Sequence, residues 1–106
     1  MSHCTVYVTA PDRDAALAIA RALIEARLIA CANVIDGATS VYRWEGKVEE
    51  AREAVMLLKT ISPNVSAIID MINKIHDYSC PCVTVWPIVA GNPDYLAWVD
   101  SETTRT

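Results

Sequence analysis

The segment HDYSCPC, His76–Cys82, places one imidazole and two thiols within a short stretch of chain. Cysteine and histidine are ligands that suit soft metal ions such as Cu(I) or Zn(II). In an extended chain Cys80 and Cys82 would point to the same face with their side chains roughly 6–7 Å apart. That spacing is loose for chelation and too wide for a good disulfide, although a bend at Pro81 would narrow it. The segment is therefore either a soft-metal site formed by His76, Cys80 and Cys82 or the packed entrance to a strand.

No other group of residues in the sequence suggests catalysis. The chain contains no GxSxG, P-loop or HExxH motif and no Ser-His-Asp grouping. His76 is the one candidate for a neutral-pH base within the fold, and Asp77 is its only obvious acidic neighbour. We therefore expect a protein that is not an enzyme.

Length and composition predict one globular domain spanning residues 1–106, with a flexible polar tail over about 101–106. The chain has 106 residues, of which 53% are hydrophobic. A domain of this size buries only about two-thirds of its unfolded surface when it folds alone. The aliphatic content is high for that size, which suggests that some apolar surface is buried between subunits.

The charge pattern and the N-terminus narrow the possible partners. Nine basic residues face 13 acidic ones, and no Lys/Arg cluster is interleaved with aromatics, so we expect no nucleic-acid partner. The N-terminal MSHCTVYVTAPD has no basic stretch followed by a long apolar core, and no apolar run is long enough for a membrane span. We expect a cytoplasmic protein whose four cysteines stay reduced.

Periodicity predicts a βαββαβ arrangement followed by a short helix. Apolar residues recur at helical or strand spacing in each element. The elements are a strand over 4–9, a helix over 12–27, two strands within 30–60, a helix over 62–76 that begins at Ser62-Pro63, a strand over 82–88 and a helix capped by Asn92. Two helices on one face of a four-stranded antiparallel sheet make an α+β, ferredoxin-like sandwich.

The two strands within 30–60 form a hairpin that is long for so small a domain. They meet at a tight turn, Glu45-Gly46-Lys47, and Gly37 marks a bulge or bend. Typical strands have about five or six residues, so the tip should project beyond its own subunit. Exposed edges that carry aromatic residues need another chain to cover them. We expect an oligomer with interface candidates at the tip, namely Tyr42, Trp44, Glu45 and Gly46.

Acidic and aromatic side chains gather on and near this hairpin. Glu45, Glu49, Glu50 and Glu53 form an acidic group, which is typical of a solvated face. Tyr42, Trp44 and Trp86 could line a ligand cleft, although aromatic residues in strands more often pack in cores or interfaces.

The chain resembles the CutA family of divalent-cation tolerance proteins along nearly its whole length. The matching stretches are VTAPDRDAALAIARALIEARLIACANVIDGATSVYRWEGKVEE, LLKT, IHDYSCP and GNPDYLAWVD. The resemblance implies a ferredoxin-like subunit in a tight homotrimer, with the hairpin crossing onto a neighbour. It also implies a role in tolerance of copper and other divalent metals, with copper binding proposed for some members and no enzymatic reaction.

The resemblance also shows where this chain departs from the family. The usual H-P-Y-x-x-P-E matches at His76, Tyr78 and Pro81, whereas Asp77 and Cys82 replace the usual Pro and Glu. Two further positions at which some relatives are proposed to hold copper carry Val8 and Ile75 in this chain. In the family fold a cleft lies between subunits near Lys59, Tyr78 and Cys82, and the resemblance makes Lys59 and Tyr78 candidates to hold an anion or small molecule there. Trp86 is a further candidate to line this cleft.

The function favoured at this point is a homotrimer in divalent metal tolerance, with copper or another divalent cation as a possible ligand. A PII-like trimer that senses a small molecule is one alternative, although it would need a long mobile loop where this chain has a short-turned hairpin. A non-catalytic platform that assembles protein partners is another.

Overall fold

Residues 2–103 are described by the structure, a computed structural model. The strands are β1 (His3–Ala10), β2 (Cys31–Trp44), β3 (Lys47–Ile61) and β4 (Val83–Pro87). The helices are α1 (Arg13–Glu25), α2 (Val65–Ile75) and α3 (Pro93–Thr103). The strands form one antiparallel sheet in the order β2-β3-β1-β4. The predicted ferredoxin-like α+β fold is confirmed.

The main core lies between one face of this sheet and helices α1 and α2. In β1 and β3 the even-numbered residues point into the core, because side chains alternate between the faces of a strand; they include Val6, Val8, Met56 and Leu58. The predicted stripe of α1 is buried against them, and it consists of Ala16, Ile19, Ala20 and Leu23. The Asp12 side chain starts this helix by accepting a hydrogen bond from the Ala15 N–H at 2.8 Å.

A second, smaller core forms where α3 packs at the opposite end of the sheet from the hairpin tip. Val99 of α3 is buried with Ile61 and Ala30, and His3 Nε2 lies 2.8 Å from Asp100 Oδ1. His3 and Ile61 are odd-numbered, so α3 lies on the sheet face that α1 and α2 do not cover. We call the rest of that face the open face.

The β2–β3 hairpin has the turn and the bulge that its sequence predicts. Trp44 pairs with Lys47, and the two loop residues have positive φ, 49° at Glu45 and 81° at Gly46, as a type I′ turn requires. The register shifts between Ile35 and Ala38, and Gly37 lies at that shift with φ of 87°. One extra residue is therefore accommodated in β2.

Two element boundaries differ from the sequence prediction. The helix expected from Ser62 begins as a 3₁₀ turn, Ser62–Asn64, and becomes α-helical at Val65, because Ser62 donates its hydroxyl to the Ser2 carbonyl instead of capping the helix. The tail expected over 101–106 is shortened, since α3 continues to Thr103, which is buried and bonds to the Val99 carbonyl. Positions 104–106 lie outside the described residues. Within residues 2–103, no helix has the length and apolarity needed to cross a membrane.

Candidate functional site

A cavity of about 510 Å³ opens on the open face of the sheet. The strands that line it contribute Tyr7 and Thr9 from β1, Ser40, Tyr42 and Trp44 from β2, and Glu53 from β3. The α2–β4 segment (residues 76–82) closes one side with Tyr78, Ser79, Cys80 and Cys82. The cavity therefore lies between the hairpin and the segment that the sequence marks as chemically unusual.

The bulge at Gly37 determines which aromatic side chains reach this cavity. Before the bulge, even-numbered residues of β2 such as Val34 pack against the core. After it, Ala38 pairs with Glu53 and Tyr42 with Glu49, and the odd-numbered residues of β3 lie on the open face. One inserted residue reverses which side chains of the strand point to each face of the sheet. Tyr42 and Trp44 consequently point toward the cavity rather than toward the helices.

A buried carboxylate lies in the wall of the cavity. Glu53 is 7% exposed, and its Oε2 accepts a hydrogen bond from the Tyr78 hydroxyl at 2.8 Å. Burial, followed by the hydrogen bond and charge of Glu53, raises the pKa of Tyr78 well above its usual range. Tyr78 therefore keeps its proton at neutral pH and remains the donor in this pair.

His76 holds the α2–β4 segment against β1. Its Nε2 lies 2.7 Å from the Thr9 carbonyl oxygen, and its Nδ1 lies 3.0 Å from the Tyr78 backbone nitrogen. A carbonyl can only accept and a backbone N–H can only donate, so the ring is neutral with its proton on Nε2. Both ring nitrogens are thus occupied in this conformation, and neither is open to a metal ion.

The predicted set of His76, Cys80 and Cys82 is not assembled into a chelating group within one chain. Cys80 and Cys82 are exposed free thiols at the cavity, whereas His76 is buried and directed to backbone groups. From Ser2 to Thr103, no group of three or more His, Cys, Asp or Glu side chains is placed to hold a metal ion.

The other two cysteines lie away from the cavity. Cys4 is buried in β1, and burial raises the pKa of its thiol, which disfavours the reactive thiolate. Cys31 is half-buried, and its Sγ lies 3.2 Å from the Tyr95 hydroxyl.

Of the three cleft candidates from the sequence, only Tyr78 lines this cavity. Lys59 instead donates from Nζ to Asn33 Oδ1 at 3.0 Å. Trp86 stacks on Tyr7 with ring centroids 5.1 Å apart, and it is Tyr7 that reaches the cavity. The three residues therefore do not form one site within a single chain, and their role in a cleft between subunits stays a prediction.

Glu53 is the site residue for which the sequence prediction is wrong. The sequence places it with Glu45, Glu49 and Glu50 on a solvated face, and those three are exposed whereas Glu53 is buried. The alternation of side chains along β3 contains a signal for the burial of Glu53, because Glu53 shares its strand face with Ala51 and Val55. A carboxylate between small and aliphatic neighbours on one strand face indicates burial rather than solvation.

The composition of the cavity favours a cation over an anion. Its described lining contains one carboxylate, four aromatic rings, hydroxyl groups and two thiols, but no Lys, Arg or His side chain. This arrangement can hold a positive charge by a carboxylate and by ring faces. It offers nothing that would neutralise a phosphate or carboxylate ligand.

Comparison with known proteins identifies the family. The family model described as CutA1 divalent ion tolerance protein matches residues 4–102. A divalent-cation tolerance protein CutA of Thermus thermophilus is 39% identical over 92% of this chain and 95% of its own length. CutA proteins of mouse and Xenopus laevis are 43% and 46% identical, and the chain spans 58% and 65% of their lengths.

Solved structures agree with this assignment. CutA1 of Oryza sativa superposes with a TM-score of 0.96 at 35% identity, covering 100% of this chain and 97% of that one. The CutA1 structure from Thermus thermophilus gives a TM-score of 0.94 at 37% identity, covering 96% and 99%. The chain belongs to the CutA1 family of divalent ion tolerance proteins.

Proposed function

We propose that this protein acts as a homotrimer in divalent metal tolerance, without a catalytic activity of its own, in the cytoplasm. The observation that carries this proposal is the family match over residues 4–102, together with a Thermus relative of nearly equal length named as a divalent-cation tolerance protein. Matched relatives are named for tolerance rather than for a reaction. A fluorescent fusion in the source cell tests the cytoplasmic location.

Assembly is supported by the apolar surface that one chain leaves exposed on its hairpin. Residues 41–50 are all exposed, including Tyr42 at 43%, Trp44 at 47% and Val48 at 66%. The hairpin lies partly at a sheet edge, because β2 has a strand partner on one side only. An edge of this length carrying aromatic and aliphatic side chains is stable in solution when another chain covers it.

Metal binding is proposed to use the thiols of Cys80 and Cys82, which are exposed and line the same cavity. Two thiolates suit Cu(I), and neighbouring subunits could add further ligands. Because His76 is bonded through both ring nitrogens, it would have to rotate to contribute. Copper is therefore assigned first to the thiols.

The experiment is a titration of the reduced protein with Cu(I) against a competing chelator. We expect tight binding of about one Cu(I) per chain, and its loss in Cys80→Ser/Cys82→Ser. Cys31→Ser is the matched control, since a serine hydroxyl can keep the contact with Tyr95 and the residue lies outside the cavity. If neither the wild type nor the control competes with the chelator, the metal assignment is wrong.

A PII-like role in sensing a small molecule is a second candidate, and the cavity favours it. Its volume of about 510 Å³ is within the range of small-molecule sites. A two-residue turn takes the place of a long ligand-binding loop. Any ligand would therefore be held by the sheet face instead.

A further inference from the structure

The buried carboxylate of Glu53 is not balanced by a cation of its own chain. Glu53 is 7% exposed, and neither of the ion pairs found within residues 2–103 includes it. Its hydrogen bond comes from the Tyr78 hydroxyl, which carries no positive charge. A buried carboxylate is costly unless a cation balances it. One copy of the chain therefore leaves a negative charge that needs a partner.

Lys59 carries the opposite charge on the same face of the sheet. It is half-buried and lies between its strand partners Thr5 of β1 and Cys31 of β2. Its Nζ donates to Asn33 Oδ1 at 3.0 Å, and this amide oxygen is neutral. The ion pairs of the described chain do not include Lys59 either. A second copy that covers this face would remove water from the ammonium group, which would then need a carboxylate.

Glu53 and Lys59 cannot neutralise each other within one chain. They are six positions apart on β3, and a strand rises about 3.3 Å per residue, so their Cα atoms lie about 20 Å apart. The other charged side chains that β3 places on this face are Lys47 and Glu49, and both are exposed near the turn. Glu53 and Lys59 are thus the two charges of β3 on this face that are withdrawn from solvent.

The cavity beside Glu53 adjoins the surface proposed for assembly. The interface candidates Tyr42 and Trp44 line it, and they are 43% and 47% exposed in one chain. A neighbouring copy that covers these rings also closes the cavity and removes the remaining solvent from Glu53. Ring faces attract an ammonium group, and the described lining contains no Lys, Arg or His side chain. A lysine from the neighbouring copy would supply the missing cation.

We propose that Lys59 of one copy enters this cavity in the next copy and forms an ion pair with Glu53 across the subunit interface. The inference rests on the proposed homotrimer and adds a contact that orders it. Each copy gives one lysine and receives another, so a closed ring of three contains three such pairs. Both charges are then buried with a partner.

A double-mutant cycle on the assembled, reduced and metal-free protein tests the pair. Glu53→Gln keeps the size of the side chain and an acceptor for Tyr78, and Lys59→Gln keeps a flexible polar side chain. Sedimentation equilibrium gives the concentration at which half of the trimer dissociates. We expect each single variant to raise it at least about tenfold, because one buried charge is left unpaired. The double variant leaves neither charge, so it should assemble at least as tightly as the weaker single variant.

Lys47→Gln is the matched control, because Lys47 is the other lysine that β3 places on this face. Combined with Glu53→Gln, its effect on trimer dissociation should be additive. Coupling of Glu53 to Lys47 instead of Lys59 would overturn the proposal. Near-ultraviolet circular dichroism verifies that each variant is folded.

Two further results separate failure of the ion pair from failure of the trimer. Additive losses in the double variant Glu53→Gln/Lys59→Gln would overturn the ion pair and leave the trimer in place. A wild-type protein that sediments as a single chain would overturn the pair and the proposed homotrimer together. Neither result depends on Cu(I), since the samples contain none.

Discussion

At the scale of single residues, the α2–β4 segment is held to the sheet by two contacts that leave its thiols free. These are the bond from His76 to the Thr9 carbonyl and the bond from the Tyr78 hydroxyl to Glu53; a third bond, from the Tyr78 N–H to His76, lies within the segment. Such buried polar contacts limit the conformations open to the segment. Cys80 and Cys82 then lie at the cavity without taking part in the packing that positions them.

Replacing Tyr78 with phenylalanine should destabilise the protein. The variant removes a hydrogen bond from a buried carboxylate, which costs about 1.5–3 kcal/mol because the acceptor is charged. Urea unfolding at fixed protein concentration measures this loss. Tyr95→Phe is the control, since Tyr95 is exposed and bonds to a neutral thiol; an equal loss in both variants would contradict the role given to Glu53.

Two tyrosines should titrate late as pH rises. Partial desolvation of the Tyr95 hydroxyl, and then its hydrogen bond with Cys31, raises the pKa of Tyr95 to about 12, and the pKa of Tyr78 is raised as well. The unfolded chain loses these phenolic protons first, near pH 10. The contribution of these two tyrosines to the free energy of unfolding is therefore fully present below about pH 10, and it is lost as pH rises toward 12.

Absorbance of tyrosinate near 295 nm follows this titration, and urea midpoints at several alkaline pH values follow the stability. In Tyr95→Phe the fall in stability between pH 10 and 12 should be smaller. A folded protein in which all four tyrosines titrate together near pH 10 would refute the assignment.

At the scale of elements, the bulge in β2 determines which side chains of that strand lie at the candidate site. Strand periodicity, the Asp12 cap and the apolar stripe of α1 are local patterns, and they predict the sheet and helices correctly. The cavity is not predictable in the same way, because it depends on a one-residue shift that changes which face Tyr42 and Trp44 occupy. Glycine at position 37 indicates a bulge, but the position of the extra residue in the ladder is a tertiary property.

Gly37→Ala should destabilise the hairpin. Its φ of 87° is unfavourable for a residue with a side chain, and an added Cβ would lie 3.3 Å from Arg52 Nη2. We expect a loss of about 1–2 kcal/mol in unfolding free energy, together with a change in tryptophan fluorescence as the tip that carries Trp44 shifts. A variant with wild-type stability would mean that the bulge does not require a glycine.

At the scale of the whole molecule, the hairpin makes one chain an elongated unit. Its dimensions are 44 × 26 × 21 Å, with a radius of gyration of 14.3 Å, against about 13 Å for a typical domain of this length. The sheet and the helices packed on it form the compact part of the chain, from which the hairpin projects. The overlong arms predict an oligomer from the sequence, and the proposed covering partner is a second copy of the chain.

Val48→Asp should weaken the proposed trimer without unfolding the subunit. Val48 is exposed in one chain, where such a change is usually worth less than about 0.5 kcal/mol, but a charge placed in an apolar interface is costly. Sedimentation equilibrium at micromolar concentration should show dissociation. Ile24→Asp on the outer face of α1 is the control, and dissociation of both variants alike would contradict assembly through the hairpin.

Native mass spectrometry of the reduced protein with Cu(I) tests assembly and metal binding together, because one spectrum reports the number of chains and the metal content. We expect a species of three 11.6 kDa chains that carries about one Cu(I) per chain. A single chain at micromolar concentration, or a trimer that remains free of copper, would contradict it.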